Sequence, residues 1–236
     1  MALKIMKKQS RHILFNIGMT ILFFTFLLSA SVFAAVAFRP LYYWLIDLLK
    51  IPQVSGYHYD TCKANFDVLI DYNMFFGPGI LEFPDFTMSI YGAQHFKEVK
   101  TIFVTLQYIA MGSAVLMIPG VILARKKWAY GWLKATIIVT LSVIGTVGLA
   151  MLINWNWTFE MMHKILFRND YWIFDPWQDP IIRILPDGVF LAYGALILLL
   201  MGLGLVIAGL VYRKKTGKSG KKGAAVRENK RSADKR

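Results

Sequence analysis

His95 and His163 are the residues whose type and spacing fit proton transfer. His95 stands three residues before Glu98, and His163 three residues after Glu160. On a helix that separation puts imidazole and carboxylate on one face. Histidine has an ordinary pKa of about 6.5, so it takes and returns a proton within one cycle. The other two histidines carry a weaker signal: His12 sits in the basic stretch KKQSRH and His58 in the turn-like SGYHYD. No serine stands in a GxSxG elbow, and Cys62, the only cysteine, has no nucleophile motif around it. A single cysteine also excludes an intrachain disulfide and any multi-cysteine metal site. Chemistry whose nucleophile comes from the substrate suits this inventory.

Three assignments of the two Glu/His pairs stand side by side. Each histidine can be an interfacial residue satisfied by its own glutamate. Two such pairs can hold a metal pair inside a helix bundle, with Asp170, Asp175 or Asp179 adding ligands. Or the histidines work as metal-free general acid and base. A metal pair ordinarily draws further carboxylates from the bundle interior, and the apolar runs described next contain none.

The elements that must position these residues are membrane spans. Residues 13–38, 102–124, 135–153 and 189–212 carry no charged side chain. A helix needs roughly 17–25 apolar residues to cross the hydrocarbon core. The mean hydropathy of +0.48 agrees with a polytopic protein. The first run contains Ser31-Val32-Phe33-Ala34, a small-residue pattern like a signal cleavage site. A signal's apolar region is only about 7–15 residues long, so an uncleaved anchor is expected. No span interior holds Asp, Glu, Lys, Arg or His, which argues against a proton or ion path. Gly145, Gly148, Gly202, Gly204 and Gly209 are expected to admit close helix packing.

The net charge of +13 is not spread like a nucleic-acid surface. Segments 1–12, 125–134 and 213–236 hold 19 Lys and Arg against two acids. Segments 39–101 and 154–188 hold 8 basic and 12 acidic residues. By the positive-inside rule both termini are cytoplasmic. The expected order is a basic cytoplasmic N-terminus (1–12), a first span (13–38), an outer loop (39–101) and a second span (102–124). A cytoplasmic loop (125–134), a third span (135–153), an outer loop (154–188), a fourth span (189–212) and a disordered basic tail (213–236) follow. Gly217-Lys218-Ser219 is not a P-loop, because Tyr212 stands where its first glycine belongs.

The outer segments therefore carry the chemistry. LYYWLIDLLK, residues 41–50, suits a short interfacial helix, and Asp85 or Thr87 is placed to cap the helix bearing SIYGAQHFKEVK. The second segment opens with NWNWTFEMMHKILF, breaks at Pro176 and Pro180, and carries Trp155, Trp157, Trp172 and Trp177, residues typical of the headgroup zone.

DFTMSIYGAQHFKEVK (85–100) and MMHKILFRNDYWIFDPWQDPIIRILPDGVF (161–190) resemble the two signature stretches of the bacterial lipoprotein intramolecular transacylases. The four-span layout is similar too, so the resemblance covers most of the chain except the basic tail. It implies an all-α polytopic membrane protein, N-in and C-in, with a small extracytoplasmic cap formed by the two outer loops. It further implies a multi-pass enzyme of the bacterial cytoplasmic membrane, its active site facing the outer leaflet and needing no cofactor. The implied partners are diacylglyceryl-modified lipoproteins and membrane lipids, not nucleic acid. The implied reaction moves the sn-2 acyl chain to the α-amino group of the lipoprotein's N-terminal cysteine, leaving a lyso-form lipoprotein. The family's two functional histidines fall on His95 and His163, with the second as base, and its DVK is Glu98-Val99-Lys100 here.

For that chemistry a positioned histidine removes a proton from an amine whose pKa is about 7.7–8.0. Glu98 and Glu160 are expected to orient the histidines. Asn169, Asp170, Lys100, Arg183, Tyr72 and backbone amides of the 170s loop are the candidates for binding substrate or the developing oxyanion. A metal-dependent membrane lipid hydrolase and a non-catalytic membrane scaffold are the alternatives.

Overall fold

The computed structural model describes the backbone of residues 2–127 and 130–233, and the side chains of residues 9–125 and 130–214. Among the described residues every regular element is helical: α1 (Ala2–Ala37), α2 (Arg39–Leu48), α3 (Ile51–Ser55), α4 (Tyr59–Tyr72), α5 (Ile90–Lys127), α6 (Gly131–Ile153), α7 (Trp155–Leu166), a 3₁₀ turn (Pro180–Ile184) and α8 (Asp187–Ala233). Helices α1, α5, α6 and α8 are each long and apolar enough to cross a membrane. Most of the segment expected to be a disordered tail lies outside the residues whose side chains are described.

The bundle is organised around α1, which packs on α5, α6 and α8, while α6 also packs on α8. In lipid no hydrophobic force drives apolar helices together, so close backbone approach has to supply the attraction. Gly204 of α8 provides such an approach, because a Cβ there would overlap the Leu27 side chain of α1. Gly148 makes only ordinary contact with Leu198, and Gly145, Gly202 and Gly209 face open space. Of the five glycines expected to serve packing, only Gly204 lies close enough to a neighbouring helix for a Cβ to displace a side chain.

The segments between α1 and α5, and between α6 and α8, fold together into a cap at one end of the bundle. Its core joins Tyr42, Ile46, Ile51 and Phe66 of the first segment to Ile181 and Ile184 of the second. Three of its short elements (α2, α3 and the 3₁₀ turn) open with a proline in the first turn. A missing N–H is harmless there, and the fixed φ favours helix. α2 is amphipathic as expected, burying Tyr42, Leu45 and Ile46 along one stripe. Tyr42 is its anchor: the ring stacks on Phe66 at 3.8 Å, and the hydroxyl donates to the Ile184 carbonyl at 3.0 Å. Arg39, at the start of α2, pairs with Asp67 and Asp71 of α4.

The second apolar run is the middle of a longer helix. α5 begins at Ile90, so His95 sits on the spanning helix itself and moves with it. The helix cap is also placed differently from expectation. Ser89, rather than Asp85 or Thr87, accepts the Gly92 N–H through its hydroxyl at 2.9 Å.

Tyr42→Phe removes the cross-cap hydrogen bond and is expected to cost about 1 kcal/mol. Tyr42→Ala also empties the stacked core and is expected to cost about 3–5 kcal/mol. Thermal unfolding in detergent measures both, and equal losses would contradict this division of roles.

Candidate functional site

α7 is set off from α6 by Asn154, whose extended backbone breaks the helix and whose side chain caps the next one by accepting the Trp157 N–H at 3.0 Å. The only buried side chain of α7 is His163, while Trp157, Met162, Ile165 and Leu166 are exposed. The helix thus turns a histidine inward and an apolar face outward. His163 is 8% exposed and His95 of α5 is 5% exposed. Their ring centroids lie 6.0 Å apart.

Aromatic side chains enclose the pair. Phe167 packs against both rings, 4.7 Å from His95 and 5.6 Å from His163. Phe174 closes on His95 at 5.4 Å, and Phe159 and Trp172 close on His163 at 4.1 and 4.8 Å. The hydrogen bonds then give the two imidazoles different states. Nδ1 of His163 lies 2.8 Å from the Phe159 carbonyl. A carbonyl can only accept, so Nδ1 carries the proton and Nε2 keeps its lone pair. Burial pushes the His163 pKa below its ordinary value, more than the Phe159 carbonyl raises it. The imidazole is therefore neutral near pH 7. Nδ1 of His95 is buried without a hydrogen-bond partner.

Three contacts tie the start of α5 to the loop that follows α7. Asp179 is 3% exposed and accepts both the N–H and the hydroxyl of Ser89, each at 2.7 Å. Its carboxylate lies against Gly92, where a Cβ would occupy the same space. Beside Gly92 in the same turn, Tyr91 stacks on Tyr171 at 4.9 Å. Beyond His95, Asn169 donates through Nδ2 to both oxygens of Glu98 at 3.1 and 3.2 Å. These contacts bracket His95 and hold Phe167 and Phe174 against it.

The expected pairing of each histidine with its own glutamate is not made. Glu160 pairs instead with Lys164 at 2.5 Å, on the exposed side of α7. Glu98 binds Asn169 and Gln94. Lys100 lies 4.2 Å above the Tyr72 ring and donates to the carbonyls of Gly77 and Pro78, so these two candidates hold the α4–α5 connection and touch neither histidine. Arg183 stacks over Tyr57 at 5.1 Å within the cap. Asp170 is exposed at the loop surface. The structure therefore brings together His95, His163, Glu98 and Asn169 from the expected set. It adds Asp179, Ser89, Gly92 and the aromatic enclosure, which spacing along the chain did not single out as a unit. Among the described residues no three His, Cys, Asp or Glu side chains converge as metal ligands.

The family model described as lipoprotein intramolecular transacylase Lit matches residues 17–190. Among solved structures, the in meso structure of the membrane integral lipoprotein intramolecular transacylase Lit from Bacillus cereus shares 33% identity, with a TM-score of 0.86. That match covers 89% of this chain and 98% of the Bacillus chain. Two substituted forms of the same protein, with one histidine changed to arginine or to alanine, match at 31% and 32% identity with TM-scores of 0.84 and 0.82. They cover 94% and 92% of this chain, and 99% and 98% of their own. No curated protein matches the chain.

Two measurements check this geometry. In nitrogen NMR of labelled protein, His163 is expected to titrate below about 6.5 and to show the Nδ1–H tautomer when neutral; a midpoint above that value would contradict the burial argument. Asp179→Ala removes both acceptor oxygens and leaves the Ser89 N–H without its partner. It is expected to shift the His95 resonances while leaving the helical circular dichroism intact, and unchanged resonances would show that the lock does not reach His95.

Proposed function

The chain belongs to the lipoprotein intramolecular transacylase Lit family, and on that premise we propose that it moves the sn-2 acyl chain of a diacylglyceryl lipoprotein to the α-amino group of the same molecule's N-terminal cysteine. The observation that carries this is the pair of enclosed histidines, 6.0 Å apart, of which His163 keeps Nε2 free. An intramolecular O-to-N transfer asks for little else. Amine and ester arrive in one molecule, so their effective concentration is high once the headgroup is held in an attack geometry.

In the proposed cycle Nε2 of His163 takes a proton from the α-ammonium or the attacking amine. The nitrogen adds to the sn-2 carbonyl and forms a cyclic tetrahedral intermediate. The C–O bond to glycerol then breaks, and the glycerol oxygen receives the proton from the His163 imidazolium or through His95. An amide forms, an ester breaks and no water is consumed. His95, the other imidazole of the pair, is the candidate donor to the developing oxyanion. Asn169, Lys100 and Arg183 are engaged elsewhere, Asn169 with Glu98 and the other two within the cap. The aromatic enclosure keeps water from competing with the amine.

We place both termini in the cytoplasm and the cap at the outer leaflet of a bacterial cytoplasmic membrane. The support is the charge distribution: the helix ends away from the cap carry most of the Lys and Arg. The exposed apolar side chains of α7 would then lie at the level where a lipoprotein's ester linkages lie.

His163→Ala and His95→Ala are each expected to lower acyl transfer by about 10²–10⁴-fold. Glu160→Gln is expected to leave it near the wild-type rate, since Glu160 binds Lys164. Mass spectrometry of a lipoprotein N-terminus, in a host lacking other N-acylating enzymes, reads all three. Unchanged lyso-form product in both histidine variants would overturn the proposal.

A further inference from the structure

Glu98 lies on α5 at the next turn after His95 and lines an open groove of about 290 Å³ with Ile102, Leu166, Phe167, Arg168 and Asn169. Phe167 is shared: one part of it borders this groove, and its ring packs on both histidines. The groove is thus the space next to the histidine pair on the Glu98 side. The carboxylate in it is fixed by neutral donors. Asn169 reaches both oxygens, and Gln94 donates to Oε1 at 2.9 Å.

Asp179 is also held by neutral donors, but it is closed against Gly92, whereas more exposed carboxylates of the cap and α7 have a cation. Asp67, Asp71 and Glu160 each have one, from Arg39, Lys63 or Lys164. Among the described residues no Lys or Arg forms an ion pair with Glu98. Lys100, two residues on, is directed to Tyr72, Gly77 and Pro78. Arg168 lines the same groove without pairing to it. The site is a preorganised carboxylate, half-buried beside Ile102, Leu166 and Phe167, with no ion pair to a described Lys or Arg. Its complement is a small ammonium group attached to an apolar body.

We propose that Glu98, held by Asn169 and Gln94, is the receptor for the substrate's primary ammonium. This deepens the transacylase assignment and rests on it. An N-terminal amine with a pKa of about 7.7–8.0 arrives mostly protonated at neutral pH. One of its N–H bonds can be taken by Oε2 of Glu98, which accepts only from Asn169, while another is directed toward His163. Binding itself forms and breaks no covalent bond, and the proton later passes to the histidine. The carboxylate also discriminates, since an amine already acylated is uncharged and gains nothing from Glu98. Product release follows from the same property, because the reaction converts the recognised cation into a neutral amide.

The test uses a probe that cannot react: a synthetic N-terminal cysteine lipopeptide with two ether-linked chains in place of the esters, made with a free amine or an N-acetyl group. Binding to the full-length protein in nanodiscs is measured for both. Wild type is expected to bind the free-amine probe tighter by about 10-fold or more. Glu98→Gln is expected to abolish that preference, and Glu98→Asp, which keeps the charge, to restore most of it. Equal binding of the two probes by wild type would overturn the proposal whatever the variants do, and so would an unchanged preference in Glu98→Gln. Failure of the acyl-transfer assignment is read separately, from the product mass with the ester-linked lipopeptide.

Discussion

A single buried carboxylate joins the two parts of the chain that must meet. Asp179 binds Ser89 twice across 90 residues of sequence, at the first turn of a membrane-spanning helix. A charge this deeply buried is tolerated only when donors satisfy it, and the cost of leaving it unpaired makes the contact hard to break. Gly92 is the accommodation on the other side: no side chain larger than hydrogen leaves room for the carboxylate. Because His95 follows Gly92 by three residues, fixing that turn fixes the direction of the imidazole. The loop ending at Asp179 in turn carries Phe167, Trp172 and Phe174, which enclose the histidines.

The enclosure and the hydrogen bonds act on different aspects of the pair. Aromatic packing removes water and favours the neutral imidazole. The Phe159 carbonyl selects which nitrogen of His163 keeps its lone pair. His95 has no such partner at Nδ1. Two chemically identical side chains thereby differ in what they can do, by backbone geometry alone. Polar groups that would otherwise crowd the space are directed elsewhere: Lys164 holds Glu160, and Tyr72 holds Lys100.

The fold was largely legible in the sequence because lipid imposes a simple rule. Uncharged runs long enough to cross become helices, and the four runs stand out without any knowledge of their partners. His95 and His163 were legible too, as the histidines flanked by carboxylates next to spans. What those carboxylates do was not. A three-residue spacing places Glu160 beside His163 but equally beside Lys164 at four, and an exposed carboxylate prefers an exposed ammonium to a neutral buried ring. Glu98 likewise faces the groove and Asn169, while His95 turns inward. Asp179 stood out only as one of several loop carboxylates. Its partner lies on another helix, and nothing local in Gln178-Asp179-Pro180 names Ser89.

The break at Asn154 has a consequence for how the protein meets its membrane. α6 crosses the bilayer, whereas α7 departs from it at one extended residue and presents Trp157, Met162, Ile165 and Leu166 to its surroundings. An amphipathic helix of this kind suits the boundary between headgroups and acyl chains. His95 takes its depth from a rigid spanning helix. The two imidazoles are therefore carried by different kinds of element, His95 by a helix long enough to span and His163 by a short amphipathic one, and Phe167 packs against both rings to join them.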